Sequence, residues 1–85
     1  MTDVTRVTLL TQSDCQYCAH AKAVLDRVAM DHPILVREVS LETAEGRALA
    51  VRHRVLFAPG ILLNEQPFCY GRLSERRLRR ALDRR

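Results

Sequence analysis

No stretch of this 85-residue chain approaches the ~20 consecutive apolar residues that span a bilayer, and its opening MTDVTRVTLL scatters charges among the apolar residues. This predicts a soluble chain without a signal peptide, and no membrane partner. Repeats, linkers and low-complexity segments are missing too. A chain this short buries one core and has no room for a second, so a single domain over 1–85 is expected. Cysteine is scarce and odd in number, three in all, which excludes the even-numbered framework of a small secreted scaffold and points to the cytoplasm. Aromatic residues make up 5% of the chain, and none interleaves with the arginines of RLSERRLRRALDRR. That segment supplies most of the net charge of +4, but without aromatic rings it has nothing on which to stack bases. Leu78, Ala81 and Leu82 keep helical spacing within it. It is read as an amphipathic helix with a solvated arginine face, and no nucleic-acid partner is expected.

What is present alternates between strand and helix. Val4, Val7, Leu9 and Leu10 lie in a β-rich run that fits a buried strand, and TQSD breaks it. From Cys15 to about Met30 the apolar positions Cys18, Ala21, Val24, Leu25, Val28 and Ala29 recur at three- and four-residue intervals, one face of a helix. Asp14 is the expected N-cap, since its carboxylate can accept a free N–H of the first turn, and DHP ends the helix. Ile34 to Val39 reads as a second, largely buried strand. SLETAEGRALAVRH reads as a second helix, opened by Ser40 or Thr43 and weakened by Gly46. After Pro59, GILLN and PFCY form a hairpin joined at EQ. Gly71 and Ser74 then lead into the last helix, with Ser74 as N-cap and Glu75 at its positive end. The resulting order is βαβ-α-ββα.

The stretch SDCQYCAHAKAVL carries the chemistry. Cys15 and Cys18 stand three residues apart at a helix start, close enough to bridge reversibly. Unpaired N–H groups and the helix dipole stabilise a thiolate there, and can lower a CxxC cysteine from ~8.5 to between ~3.5 and ~7.5. Cys15 is therefore the expected nucleophile. Cys18 shares a face with Ala21 and Leu25, which turns it toward the core and suits it to resolve a mixed disulfide. A structural zinc site needs three or four ligands. Cys69 with His53 or His20 would have to complete one, and no second closely spaced ligand pair exists, so no metal is expected. A purely structural staple closing so short a loop would constrain little of the unfolded chain.

A CxxC at a helix start inside a βαβ unit, followed by a proline just before a ββα ending, resembles the thioredoxin superfamily over nearly the whole chain. The short length, the single strand before the motif and CQYC are most similar to glutaredoxins, whose usual motif is Cys-Pro-Tyr-Cys. The resemblance implies the α/β thioredoxin fold, with a mixed four-stranded sheet, helices one and three on one face and helix two on the other. It places Pro59 at the family's cis-proline facing the CxxC, with Ala58 and Pro59 as the substrate shelf. Without the resemblance Pro59 would be an ordinary proline at the start of a strand. Tyr17 would cover a bound thiol, and Gly71 would let a substrate backbone or the glutathione γ-glutamyl end approach.

Several positions depart from the family patterns. Gln16 replaces the motif proline, Gln12 the lysine that in glutaredoxins contacts glutathione, Asp14 the tryptophan of thioredoxins and Leu9 their buried acid. The ending, with a glycine and a Leu-Ser pair before the last helix, looks more like thioredoxin than like the glutaredoxin Gly-Gly-Asp pattern. His20 and Lys22 are read chiefly as solvated surface that could also help a thiolate, and Cys69 as a core filler.

The expected activity is thiol-disulfide exchange through Cys15 and Cys18 on protein or low-molecular-weight disulfides, by a monomer with no tightly bound cofactor. Glutathione, another small thiol or a protein reductase would supply electrons. Arg72 and Arg76 near the active-site edge would attract an anionic partner. The rival readings are a glutathione-ligated iron-sulfur carrier and a non-catalytic thioredoxin-like binding module.

Overall fold

The computed structural model describes residues 4–84; residues 1–3 and 85 of the expected domain lie outside the described residues. Strand β1 (Thr5–Thr11) leads to helix α1 (Gln16–Ala29), β2 (Ile34–Ser40), α2 (Ala44–His53), a hairpin of β3 (Gly60–Leu63) and β4 (Gln66–Tyr70), and α3 (Glu75–Asp83). The element order matches the expectation.

The sheet order is β2-β1-β3-β4, with β1 parallel to β2 and antiparallel to β3, and β3 antiparallel to β4. The two inner strands are covered on both faces. Side chains alternate across a strand, so Val7 and Leu9 of β1 join Ile61 and Leu63 of β3 on one side. There they meet Ala21, Val24, Leu25 and Val28 of α1 and Leu78 and Leu82 of α3 in a single buried cluster. This is the face that α1 and α3 share. Thr8, Leu10 and Leu62 face α2 on the other side, and all three are buried.

Four details differ from the sequence reading. Asp14 is not the cap of α1: its φ of 55° lies in the left-handed region, which aspartate tolerates better than most residues. The chain then enters α1 through Cys15, the actual N-cap. Second, β2 is not largely buried. It is an edge strand, and its Leu35 and Val36 are 64% and 39% exposed, because nothing among the described residues pairs with its outer side and α2 covers it only in part. Third, the hairpin turns at Asn64 and Glu65, one residue earlier than EQ. Both have positive φ, 49° and 67°, the pattern of a two-residue turn whose twist suits the flanking strands. Asn64 fixes that register: its Oδ1 accepts the Arg6 N–H at 2.8 Å, and its own N–H donates to the Arg6 carbonyl at 2.7 Å. Fourth, Ala29, counted on the apolar face of the first helix, is exposed.

The other caps follow the sequence. Thr43 Oγ1 accepts the Gly46 N–H at 3.0 Å to open α2, and Ser74 Oγ accepts the Arg77 N–H at 3.2 Å to open α3. A polar seam ties α3 to the end of α1. Glu75 accepts from Arg27 at 2.8 Å and from Arg79 at 3.0 Å, Arg79 also reaches Asp31 at 2.8 Å, and His32 meets Asp83 at 2.8 Å. These hydrogen bonds hold the Glu75 carboxyl below its ordinary range and push the Arg79 guanidinium further up.

Candidate active site

Strand register brings three loops to one edge of the sheet. Leu10 near the end of β1 pairs with Gly60 at the start of β3, and Gly60 pairs with Tyr70 at the end of β4. The chain leaving β1 toward Cys15, the chain arriving through Ala58 and Pro59, and Gly71 beyond β4 therefore emerge side by side. The Gly71 N–H donates to the Pro59 carbonyl at 2.8 Å, which joins the second and third of these loops.

Cys15 and Cys18 are joined as a disulfide, with Cα atoms 5.2 Å apart. The two sulfurs sit in different surroundings. Cys15, before the first turn of α1, is half-buried, whereas Cys18 is only 3% exposed on the core-facing side. Cys15 Sγ accepts the Cys18 backbone N–H at 3.1 Å, taking the place that a capping oxygen would fill. The sulfur thus occupies the positive end of the helix, where a developing negative charge is stabilised. The Ala58–Pro59 peptide is cis. Ala58 and Pro59 are both buried, and neither backbone group of Ala58 has a backbone partner among the described residues.

No family model matches the chain. A curated protein described as a probable thioredoxin, from Archaeoglobus fulgidus, is 27% identical over 74 residues, covering 87% of this chain and 81% of that one. A solved point mutant of thioredoxin from Halobacterium salinarum NRC-1 superposes with a TM-score of 0.74 at 18% identity, over 94% of this chain and 73% of that one. The fold is the thioredoxin fold. Glutaredoxin 1 from Francisella tularensis, solved with cacodylate, superposes less well, at a TM-score of 0.58 and 18% identity over 94% of each chain. Within the thioredoxin fold, the CxxC pair of this chain stands at the mouth of the first helix, as expected from the sequence.

The same edge of the sheet carries exposed apolar side chains that the sequence reading missed in part. Tyr17 in the first turn of α1 is half exposed. Leu56 and Phe57, just before Ala58 and Pro59, are 73% and 55% exposed, and the Phe57 ring meets Tyr70 edge-to-face at 5.0 Å between centroids. Phe57 also explains Gly71: with φ of 82°, a Cβ there would sit 2.9 Å from Phe57 Cε1. Gly71 is buried beneath that ring. The signal for these side chains was VLFAP, three large apolar residues before a proline and outside any helical or strand period.

The remaining candidates have other partners. His20 Nε2 lies 3.2 Å from the Leu73 carbonyl, tying α1 to the segment before α3, and Lys22 pairs with Glu38 of β2 at 3.3 Å. Cys69 packs against the main core, where burial pushes its thiol up and the Arg77 guanidinium pulls it part of the way back. Among the described residues, no three His, Cys, Asp or Glu side chains converge on a point that could hold a metal ion. No described helix is long and apolar enough to cross a membrane.

Proposed function

We propose that this protein is a thiol-disulfide oxidoreductase in which Cys15 is the nucleophile and Cys18 the resolving thiol. The observation that carries the reading is the unequal setting of the two sulfurs: Cys15 caps a helix at the surface and accepts an N–H, while Cys18 is buried behind it. In the reduced protein the Cys15 thiolate attacks one sulfur of a substrate disulfide. That S–S bond breaks, a mixed disulfide forms on Cys15, and the second substrate sulfur leaves as a thiolate that takes up a proton. Cys18 then loses its proton and attacks Cys15 Sγ, which expels the first substrate sulfur. Two electrons have passed to the substrate, and the Cys15–Cys18 disulfide remains until a thiol donor reduces it.

Ala58 serves as the substrate shelf, with its free backbone groups, and Pro59 holds the turn that presents it. Tyr17 flanks the attacking sulfur, while Gly71 makes room for Phe57 on the same edge of the sheet. Exposed Tyr17, Leu56 and Phe57 favour a disulfide carried by a protein with apolar neighbours, docking on a monomer in the cytoplasm. The donor is glutathione, another low-molecular-weight thiol or a protein reductase. A salt-sensitive approach is expected from Arg72 and Arg76, both exposed.

The test is reduction of a protein disulfide and of a small disulfide, each driven by glutathione with its reductase or by a thioredoxin reductase system. Cys15→Ser should abolish turnover with every donor, and Cys18→Ser should accumulate a mixed disulfide at Cys15 visible by intact mass. Equal, mild losses in the two variants would overturn the assigned roles. Purified protein carrying stoichiometric iron with visible absorbance would replace the oxidoreductase with a cluster carrier.

A further inference from the structure

Helix α2 is seated on the sheet at one end only. Gly46 is the sole buried residue of its ten, and a Cβ at that position would overlap the Ser40 carbonyl. Toward its other end Leu49 and His53 are half-buried and Arg52 is exposed. Helix and sheet consequently enclose a cleft of about 510 Å³, within the range of ~300–1,000 Å³ common to small-molecule sites. Its apolar lining comes from Leu62 of the central sheet, Leu35 of the edge strand and Leu49 of the helix. Its polar rim is formed by Arg6, Arg37, Arg52 and His53 together with Glu65 and Gln66.

Two of the three rim arginines are paired within the chain. Arg6 meets Glu65 at 3.4 Å with both side chains mostly exposed, a pairing of small net worth. Arg37 pairs with Glu45 at 2.9 Å. Arg52 and His53 make no ion pair among the described residues. A cleft with leucines along its lining and an unpaired arginine at its mouth is complementary to one class of ligand, a small organic anion with an apolar body. The geometry points to a binding site for such an amphipathic anion between α2 and the sheet, its acid group on Arg52 and its body on Leu35, Leu49 and Leu62. The site is separate from the redox centre. It opens beside the early residues of β1, Arg6 to Thr8, whereas Cys15 follows the end of that strand.

The probe is 1-anilinonaphthalene-8-sulfonate, an aryl sulfonate monoanion, titrated into the full chain while its fluorescence is read. Saturable one-to-one binding is expected, weakened at least tenfold by Arg52→Glu and by Leu49→Glu and unchanged by Arg80→Glu on the distant last helix. Amide resonances of Thr8, Leu35, Leu49 and Leu62 should shift on binding. The uncharged analogue N-phenyl-1-naphthylamine should bind at least tenfold more weakly. Any of four results overturns the site: no saturable binding, equal binding by Arg52→Glu and Arg80→Glu, equal binding of the neutral analogue, or shifts confined to Tyr17, Leu56 and Phe57. Sedimentation showing a dimer that Leu49→Glu dissociates would overturn it as well, since a second copy would then fill the cleft. Should Leu49→Glu fail to fold, Arg52→Glu decides alone, because its side chain is exposed.

Discussion

Cys15, Cys18 and Cys69 share one side chain and differ in every other respect. Cys15 stands at a helix N-terminus with a backbone N–H directed at its sulfur, Cys18 is buried on the same helix, and Cys69 is half-buried on an edge strand with its thiol pushed up. Alkylation rate follows the thiolate fraction and access together. After reduction, iodoacetamide at neutral pH should therefore label Cys15 first, with Cys18 and Cys69 slower by at least tenfold, as peptide mass mapping over time would show. Cys69→Ala should leave disulfide reduction within twofold of the parent. Labelling of Cys69 ahead of Cys15 would contradict the reading of Cys69 as a core filler.

At the scale of elements, two residues sit where their type is unfavourable for opposite reasons. Glu65 holds a left-handed backbone in the hairpin turn, a conformation that costs an L-residue roughly 1–2 kcal/mol. Glu65→Gly should stabilise the protein by about 1 kcal/mol in urea melts after loss of the weak Arg6 pairing. Gly46 is the reverse case. Glycine inside a helix ordinarily yields to alanine with a gain of about 1 kcal/mol. Here the added methyl would run into the Ser40 carbonyl, and overpacking of this kind costs ~1–3 kcal/mol. Gly46→Ala should thus destabilise, and a stabilised variant would show that α2 is not seated as described. The glycine that reads as a weak point in a helix is the contact by which the helix reaches the sheet.

For the whole molecule, the seam between α1 and α3 contributes to the response to acid. Glu75 is held below its ordinary range by Arg27 first and Arg79 second. A depressed carboxylate contributes stability above its unfolded value, about 4.3 for glutamate, and that contribution disappears as pH falls through the lower folded value. Thermal midpoints should drop from about pH 4.5 downward, and Glu75→Gln should flatten that limb while lowering the midpoint at pH 7. An unchanged acid limb in the variant would place the acid sensitivity elsewhere.

Much of this was determined by the sequence alone. The apolar period of Cys18, Ala21, Val24, Leu25 and Val28, the caps at Thr43 and Ser74, the βαβ-α-ββα order and the placement of a CxxC at a helix start all depend on residues a few positions apart. Local patterns of that kind are set by backbone geometry and survive in any fold that uses them. The tertiary structure decided the rest. Asp14 was the expected cap, but the path from β1 bends it into the left-handed region and leaves Cys15 to cap the helix. Ile34–Ser40 was legible as a strand, but only sheet order could make it an edge and leave Leu35 exposed. Phe57 and Gly71 are fourteen positions apart in the chain and Gly46 touches the end of another element. Their complementarity exists only once β3 and β4 are paired and α2 has crossed back over the sheet, because burial and close approach depend on distant partners that no local window contains.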